Sequence, residues 1–539
     1  MILGAETRLR GVVGASLTRV KGWGRLDAAL FVLIATAILF RLIDLANLPG
    51  LNGDEAWYGV QVLRWSAGEP VDWRTPSGNL IGFAHPAGIW LLHWVFDPAP
   101  WILRAPSVVS SVLEIAVVAR VAWKHLGPAA AAAGAGLCAA LPVNIAYARF
   151  GWEPSHSGLF LSIAAALALR GSMIGTALSF AASLFLHPTN VVAGPFLALA
   201  FCGSELSRGD LLRASLRSGA LVLVLAALFG AFAAITNTAR AVPAAGAIWS
   251  RLHSPGAWGA FAERLAGFIS GDLTYRYIAG SPLPLPAWTI TAVFWIVVAA
   301  ALAAGLWRVV RARRWLELGL IAGGCASAGA FFAIAGPDQL APHVERFALV
   351  LVVPLMFAFL AAVFGAVPRE RARPGLGATA AICVALLAGF YVSYFRELWR
   401  TGSRSHQTFW TGPREPKAQA AEFVLRERSP GAPAVVLADS WWVRWPVEYL
   451  TRAAPEVSVV TIAGRREIDA RADIFAIGFP GGSADSLAAS YPPGAFHRFS
   501  IRGYGRDAVL HIWHRPPSDA QDGVRERIAP LDSGESSQR

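Results

Sequence analysis

The sequence predicts a polytopic α-helical membrane protein of about 11 transmembrane helices, followed by a C-terminal extracytoplasmic α/β domain. Three observations predict it. Of the 539 residues, 55% are hydrophobic and only 15% are charged, whereas soluble globular chains carry about 25% charged residues. The apolar residues, with a mean hydropathy of +0.47, are gathered into runs close to the roughly 20 residues that a helix needs to cross a bilayer. The basic residues stand in short blocks between those runs, on alternate loops. Such blocks are topology signals, so the net charge of +12 does not argue for a nucleic-acid partner.

The first apolar run, 27–46, follows Arg8, Arg10, Arg19, Lys21 and Arg25. A secretory signal also begins this way. No small-x-small cleavage site precedes Asn47, and many more runs follow, so the segment reads as an uncleaved first helix. Further runs lie at 104–123, 128–147, 155–170, 172–186, 190–204, 216–236, 287–307, 316–336, 347–366 and 376–396. His187-Pro188 separates the fifth and sixth, which read as two spans or as one broken or re-entrant element. With a cytoplasmic N-terminus, the basic loops at Arg120/Lys124, Arg170, Arg208/Arg213/Arg217, Arg308/Arg311/Arg313/Arg314 and Arg369/Arg371/Arg373 all fall inside. Loops 47–103, 148–154, 237–286 and 337–346 then fall outside, as does everything after 396. Lysine appears only as Lys21, Lys124 and Lys417. This bias toward Arg and Ala points to a GC-rich bacterial genome, and hence to a bacterial cytoplasmic (inner) membrane. Cys138, Cys202, Cys325 and Cys383 each lie within an apolar run, with no disulfide or metal spacing.

Residues 1–396 therefore form the transmembrane domain, with 397–516 as a small outer domain. Its strand-like runs are 434–437, 457–460 and 474–477, its helical stretches 417–428 and 445–452, and its closing hairpin His497 to His514. It contains no Gly-x-Gly-x-x-Gly or P-loop pattern. Residues 517–539 are polar and read as a disordered tail. Trp441, Trp442 and Trp445 either stack on a glycan or pack this domain onto the membrane half.

The outer loops carry the residues able to do chemistry. The first holds Asn52-Gly53-Asp54-Glu55 and six tryptophans, Trp57, Trp65, Trp73, Trp90, Trp94 and Trp101. Tryptophan favours the membrane–water interface, so this loop is expected to lie on the bilayer as short helices. On a helix over 54–67, Asp54, Tyr58 and Gln61 share a face. Asp54 is then a catalytic base or only the helix N-cap, with Glu55 favouring the positive helix end. His85 is a phosphate ligand or proton donor, or simply solvated. In the second loop, Arg149 and Glu153 either pair with each other or serve a site, and Pro154 keeps Glu153 out of the next helix. In the last loop, Arg346 grips a phosphate, or else snorkels or pairs with Glu345.

Taken in order, these pieces resemble the GT-C superfamily of polytopic glycosyltransferases, in the branch of the protein O-mannosyltransferases and the lipid A aminoarabinose transferase. The resemblance covers about residues 27–366. It rests on Asp54-Glu55 after the first span, His85-Pro86-Ala87-Gly88-Ile89-Trp90, Arg104-Ala105-Pro106-Ser107 opening the second span, Arg149 to Ser155, and Arg346-Phe347. Ala87 departs from a second proline, Phe347 from a common tyrosine, and His85 from the lysine of some relatives. The resemblance implies a sugar donor carried on polyprenyl phosphate and an extracytoplasmic glycan, lipid or protein acceptor, within membrane lipid and without a nucleotide. It implies Asp54 as base for an inverting transfer, with Glu55 orienting the acceptor or tuning Asp54. Arg346, then His85 and His343, would meet the donor phosphate, and Glu153, Tyr58 and Arg149 would meet the sugar or acceptor. No cofactor is implied with certainty. A divalent metal between Asp54, Glu55 and Glu153 stays open.

A lipid or glycan transporter or flippase is the rival reading, because many spans, a Pro-broken helix and intramembrane polar residues suit it. Against it stand the absence of paired repeat halves and the gathering of charge at the outer interface. An inactive scaffold with a partner-binding outer domain is a third.

Overall fold

The computed structural model of the chain describes residues 25–75, 78, 80–236, 243–365, 367–464, 467–469, 471–517 and 525–527. The basic residues expected ahead of the first span at Arg8, Arg10, Arg19 and Lys21 lie outside these.

Every apolar run carries a helix, but not every helix is a full span. Among the described residues, seven are long and apolar enough to cross a membrane: Pro100–Leu126, Pro188–Leu206, Leu211–Thr236, Ala287–Arg311, Trp315–Ile334, Glu345–Phe364 and Arg373–Thr401. The pair Pro128–Ala140 and Pro142–Ala148, bent by 56°, makes up to an eighth. Ala28–Leu42 and Met173–Leu186 are shorter, and Ser157–Leu169 has 13 residues after a 3-10 turn over Glu153–His156. Among the described residues the expected count of eleven spans is thus not confirmed. Proline, which lacks the N–H that continues a helix, breaks the run 128–147 at Pro142 and opens the turns at Pro154 and Pro188 that precede the helices Ser157–Leu169 and Gly194–Leu206.

Helix burial separates centre from rim. Glu345–Phe364 is 78% buried, whereas Ala287–Arg311 is only 6% buried. An apolar face of that extent far exceeds what soluble proteins leave to water, so lipid is its natural cover. Trp73, Phe83, Leu91, Trp94, Val95 and Phe96 of the first outer loop are exposed as well. They suit the expected interfacial position.

The loops expected on one side do meet one another. The Leu51 N–H donates to Glu415 Oε1 at 2.9 Å. The Ser403 hydroxyl donates to the Ile278 carbonyl at 2.7 Å. The Tyr277 ring stands edge-on to Phe409 at 4.9 Å and to His343 at 6.4 Å.

The C-terminal sheet contains β1 (Ala434–Ala438), β2 (Val457–Thr461), β4 (Asp473–Gly478), β5 (His497–Gly503) and β6 (Arg506–Arg515), in the order β2-β1-β4-β6-β5. β1 pairs in parallel with β2 and β4, and the other pairings are antiparallel. β1 and β4 are buried along their whole length, as parallel strands covered on both faces must be. The short β3 (Glu467–Asp469) pairs with β7 (Arg525–Arg527). Most of the tail 517–539, expected to be disordered, lies outside the described residues.

This domain leans on the first outer loop through the helix Trp441–Thr451. Tyr449 lies so close to Gly59 that a Cβ there would stand 2.6 Å from its ring. Arg64 pairs with Glu448 at 2.7 Å, and Arg452 pairs with Glu69. Trp445 packs on the membrane-half core and Trp442 on the outer-domain core, so both serve packing.

Candidate active site

The helix Gly53–Ser66 begins with a capping box. Asn52 Oδ1 accepts from the Asp54 N–H at 2.8 Å, and Glu55 Oε1 accepts from the Asn52 N–H at 3.1 Å. Both orphan donors of the helix start are met reciprocally. The capping reading of Asp54 is thereby corrected: Asn52 is the N-cap, and the Asp54 side chain is left free of that duty.

Glu55 is fully buried and saturated. Its Oε2 accepts from Arg104 Nε at 2.8 Å and from the Gly151 N–H at 3.0 Å, while Oε1 also takes Arg104 Nη2 at 3.2 Å. Arg104 reaches the Leu45 carbonyl at 2.8 Å. Arg149, likewise fully buried, donates to the Phe40 and Leu48 carbonyls at 2.8 Å each and lies 5.0 Å from the Phe395 ring. It makes no pair with Glu153, contrary to one expectation. Its donors face backbone carbonyls that no helix satisfies. Glu55, Arg104 and Arg149 thus tie the first outer loop to the second and to the first helix.

The other side of the helix is different. Asp54 is half-buried, and among the described residues nothing hydrogen-bonds to its carboxylate. Burial raises its pKa above the usual value. Arg346 opposes that shift and the neighbouring Glu55 adds to it. One turn on, the Tyr58 hydroxyl donates to Glu153 Oε2 at 3.2 Å. Glu153 Oε1 is buried without a partner. Burial pushes the Glu153 pKa well above the usual range, against the bond from Tyr58 and the Gly82 backbone, which acts on the carboxyl without reaching hydrogen-bond geometry. No cation offsets it, so Glu153 is held neutral. Asp54, by contrast, has a guanidinium nearby. Burial raises both carboxyls, and of the two only Asp54 has a guanidinium opposing that rise, which suits it as the ionisable base and Glu153 as the neutral hydrogen-bonding group.

Arg346 is half-buried, with its guanidinium 4.7 Å from the Trp152 ring and 5.2 Å from Phe347. It forms no ion pair with Glu345. That carboxylate instead accepts from the Tyr147 hydroxyl at 2.6 Å, and this corrects the expected pairing. Tyr277 stands beside Arg346. Burial raises its phenol to about 12, against the lowering effect of the guanidinium. His187, at the helix break, stacks on Phe347 at 4.8 Å, so the Pro-broken segment packs beside Arg346. His343 is exposed, with φ 83°, at the edge of this group.

His85 is fully buried rather than solvated. Its ring stands edge-on to Tyr58 at 5.3 Å. Nδ1 lies 3.0 Å from His156 Nε2, and His156 Nδ1 lies 2.6 Å from Ser110 Oγ. Burial, then His156, pushes the His85 pKa well below its usual value, so the ring is neutral.

The structure therefore gathers Asp54, Tyr58, Glu153, His85 and Arg346. It sets Glu55 and Arg149 behind them and His343 at the rim. Among the described residues, no group of three or more His, Cys, Asp or Glu side chains could hold a metal ion. Glu55 is committed to Arg104, so the three carboxylates do not converge. Sequence reasoning missed Tyr277, Trp152, Ser110 and the partnership of His156 with His85. Trp152 and His156 flank Glu153 in the second loop and could have been found there. Ser110 and Tyr277 carry no local signal.

No family model matches the chain, and no curated protein does. Among solved structures it is similar to ArnT from Cupriavidus metallidurans bound to undecaprenyl phosphate, with 15% identity over 90% of this chain and 97% of that chain and a TM-score of 0.47. It is similar also to ArnT from the same organism in the apo state, with 14% identity, the same coverage and a TM-score of 0.38. Likeness at this level fixes neither activity nor ligand.

Proposed function

We propose that this chain is a GT-C glycosyltransferase of the bacterial inner membrane that moves a sugar from a polyprenyl-phosphate donor to an extracytoplasmic acceptor, with inversion at the sugar. The observation that carries this is Asp54: a half-buried carboxylate without hydrogen-bond partners among the described residues, in the electrostatic field of Arg346, on a loop expected outside. Such a group is idle in a scaffold. In a transfer reaction it accepts the proton of an acceptor hydroxyl as that oxygen bonds to the anomeric carbon. The bond from anomeric carbon to phosphate oxygen breaks, and the polyprenyl phosphate leaves with the electron pair. A base of this kind contributes about 10²–10⁴-fold. A phosphate acceptor would need no base. Its transfer would lean on the groups that meet the departing phosphate.

Charge on the departing phosphate needs fixed donors aimed at it. Arg346 is the first, with His85 and the exposed His343 behind it. Neutral Glu153 and Tyr58 offer hydrogen bonds to sugar hydroxyls. Glu55 and Arg149 hold the loops that carry these groups. The outer domain presses on the helix of Asp54 and fixes its angle.

The test supplies purified protein in liposomes with polyprenyl-phosphate sugars and an envelope-fraction acceptor. The expected result is release of polyprenyl phosphate matched by sugar on the acceptor. Movement of intact donor across the bilayer without that release would establish the transporter instead.

A further inference from the structure

The chain Ser110–His156–His85 has a direction. Ser110 Oγ lies 2.6 Å from His156 Nδ1 and has no other hydrogen-bond partner among the described residues. A buried O–H left unmet is costly, so the serine donates, and His156 Nδ1 accepts. A neutral imidazole has one N–H and one lone pair, so His156 carries its proton on Nε2 and donates to His85 Nδ1 at 3.0 Å. The same rule places the proton of His85 on its Nε2. That nitrogen is buried without a partner. The Gly151 backbone acts on the ring without reaching hydrogen-bond geometry. A buried donor left unmet is costly, and the ring stands beside Tyr58, whose hydroxyl donates to Glu153, itself with an unmet Oε1. Two unmet polar atoms around one tyrosine mark the place of a polar ligand.

We propose that Ser110 and His156 are positioning residues that hold His85 as an Nε2–H donor to an oxygen of the bound sugar phosphate. The proposal rests on the sugar-transfer reading for its ligand, but not for its geometry. Ser110 lies on the span Pro100–Leu126 and His156 at the start of Ser157–Leu169, so two helices of the membrane half set the polarity of a group in the outer loop.

The test is ¹⁵N NMR of histidine-labelled protein, with His85 identified among the 11 histidines by its loss in His85→Gln. The expected spectrum has a protonated Nε2 and an unprotonated Nδ1. Ser110→Ala should mix the two tautomers and lower kcat about five- to tenfold, the worth of one hydrogen bond. His156→Ala should lower it at least as far. Ser110→Thr keeps the hydroxyl and should keep both tautomer and rate. His156→Gln should restore the rate to within about threefold, because its carbonyl accepts from Ser110 and its amide donates to His85. An unprotonated Nε2 in the parent protein overturns the proposal. So does a Ser110→Ala spectrum identical to that of the parent. Absence of transfer from every donor, with the resonances as stated, removes the reaction and leaves the relay standing.

Discussion

The two sides of the helix Gly53–Ser66 differ in how completely their polar groups are satisfied. Behind it, Glu55 accepts four hydrogen bonds, from the Asn52 and Gly151 backbones and from Arg104. In front of it, the Asp54 carboxylate has no hydrogen bond among the described residues, and Glu153 Oε1 and His85 Nε2 are buried and unmet. Adjacent carboxylates in the chain thus do opposite work. A saturated carboxylate fixes geometry, because every lone pair is committed. An unsaturated one beside a cation is available to a ligand.

The largest effect should come from the saturated side. Glu55→Ala strands Arg104 in the interior, and breaking a buried ion pair this way costs about 3–5 kcal/mol. Thermal unfolding in detergent should show a large loss. A midpoint equal to the parent's would deny that this side is scaffold. Next comes Arg346→Ala, which removes a charged donor worth about 1.5–3 kcal/mol. Affinity for polyprenyl phosphate should fall roughly ten- to a hundredfold by titration, and unchanged affinity would take Arg346 out of the site. Tyr58→Phe is smaller. It deletes one hydrogen bond to Glu153, about 0.5–1.5 kcal/mol, and should appear in the rate more than in the unfolding midpoint.

The smallest and most discriminating effects are in pH. The folded Asp54 carboxyl has its pKa raised above the usual 3.8. Between those two values the folded state holds more protons than the unfolded one, so this residue's contribution to stability falls as pH rises. Asp54→Asn should therefore unfold at a higher temperature than the parent at neutral pH, and the gap should close below the unfolded carboxylate value. As a base, Asp54 must be ionised, so the acid limb of kcat/KM should lie above the ordinary carboxylate range. Arg346 lowers the Asp54 pKa, so residual activity in Arg346→Ala should show that limb moved to higher pH. A limb that stays put would separate the two groups.

Much of the fold is legible in the sequence because its signals are local. Every apolar run carries a helix, and the short strands β1, β2 and β4 stand out between polar turns. Span lengths are less legible: Pro142 bends the run 128–147 by 56°, and the runs 155–170 and 172–186 are short in the sequence already. The site is legible where a residue announces itself by position, as Asp54 and Arg346 do at outer helix starts. It is illegible where meaning lies in partnership. The Asn52-x-x-Glu55 spacing is a capping-box signature that could have named Asn52 as the cap, but nothing in it says that Glu55 binds Arg104, 49 residues away. Nor does the second loop say that Arg149 turns to backbone carbonyls while Glu153 turns to Tyr58.

The most direct measurement is the transfer rate of Asp54→Asn, taken on protein whose unfolding midpoint is recorded from the same preparation. Asparagine keeps the shape of the side chain, and the cap belongs to Asn52, so the midpoint should not fall. Transfer to a hydroxyl acceptor should drop by about 10²–10⁴-fold. Transfer at the parental rate from a folded variant would contradict the account.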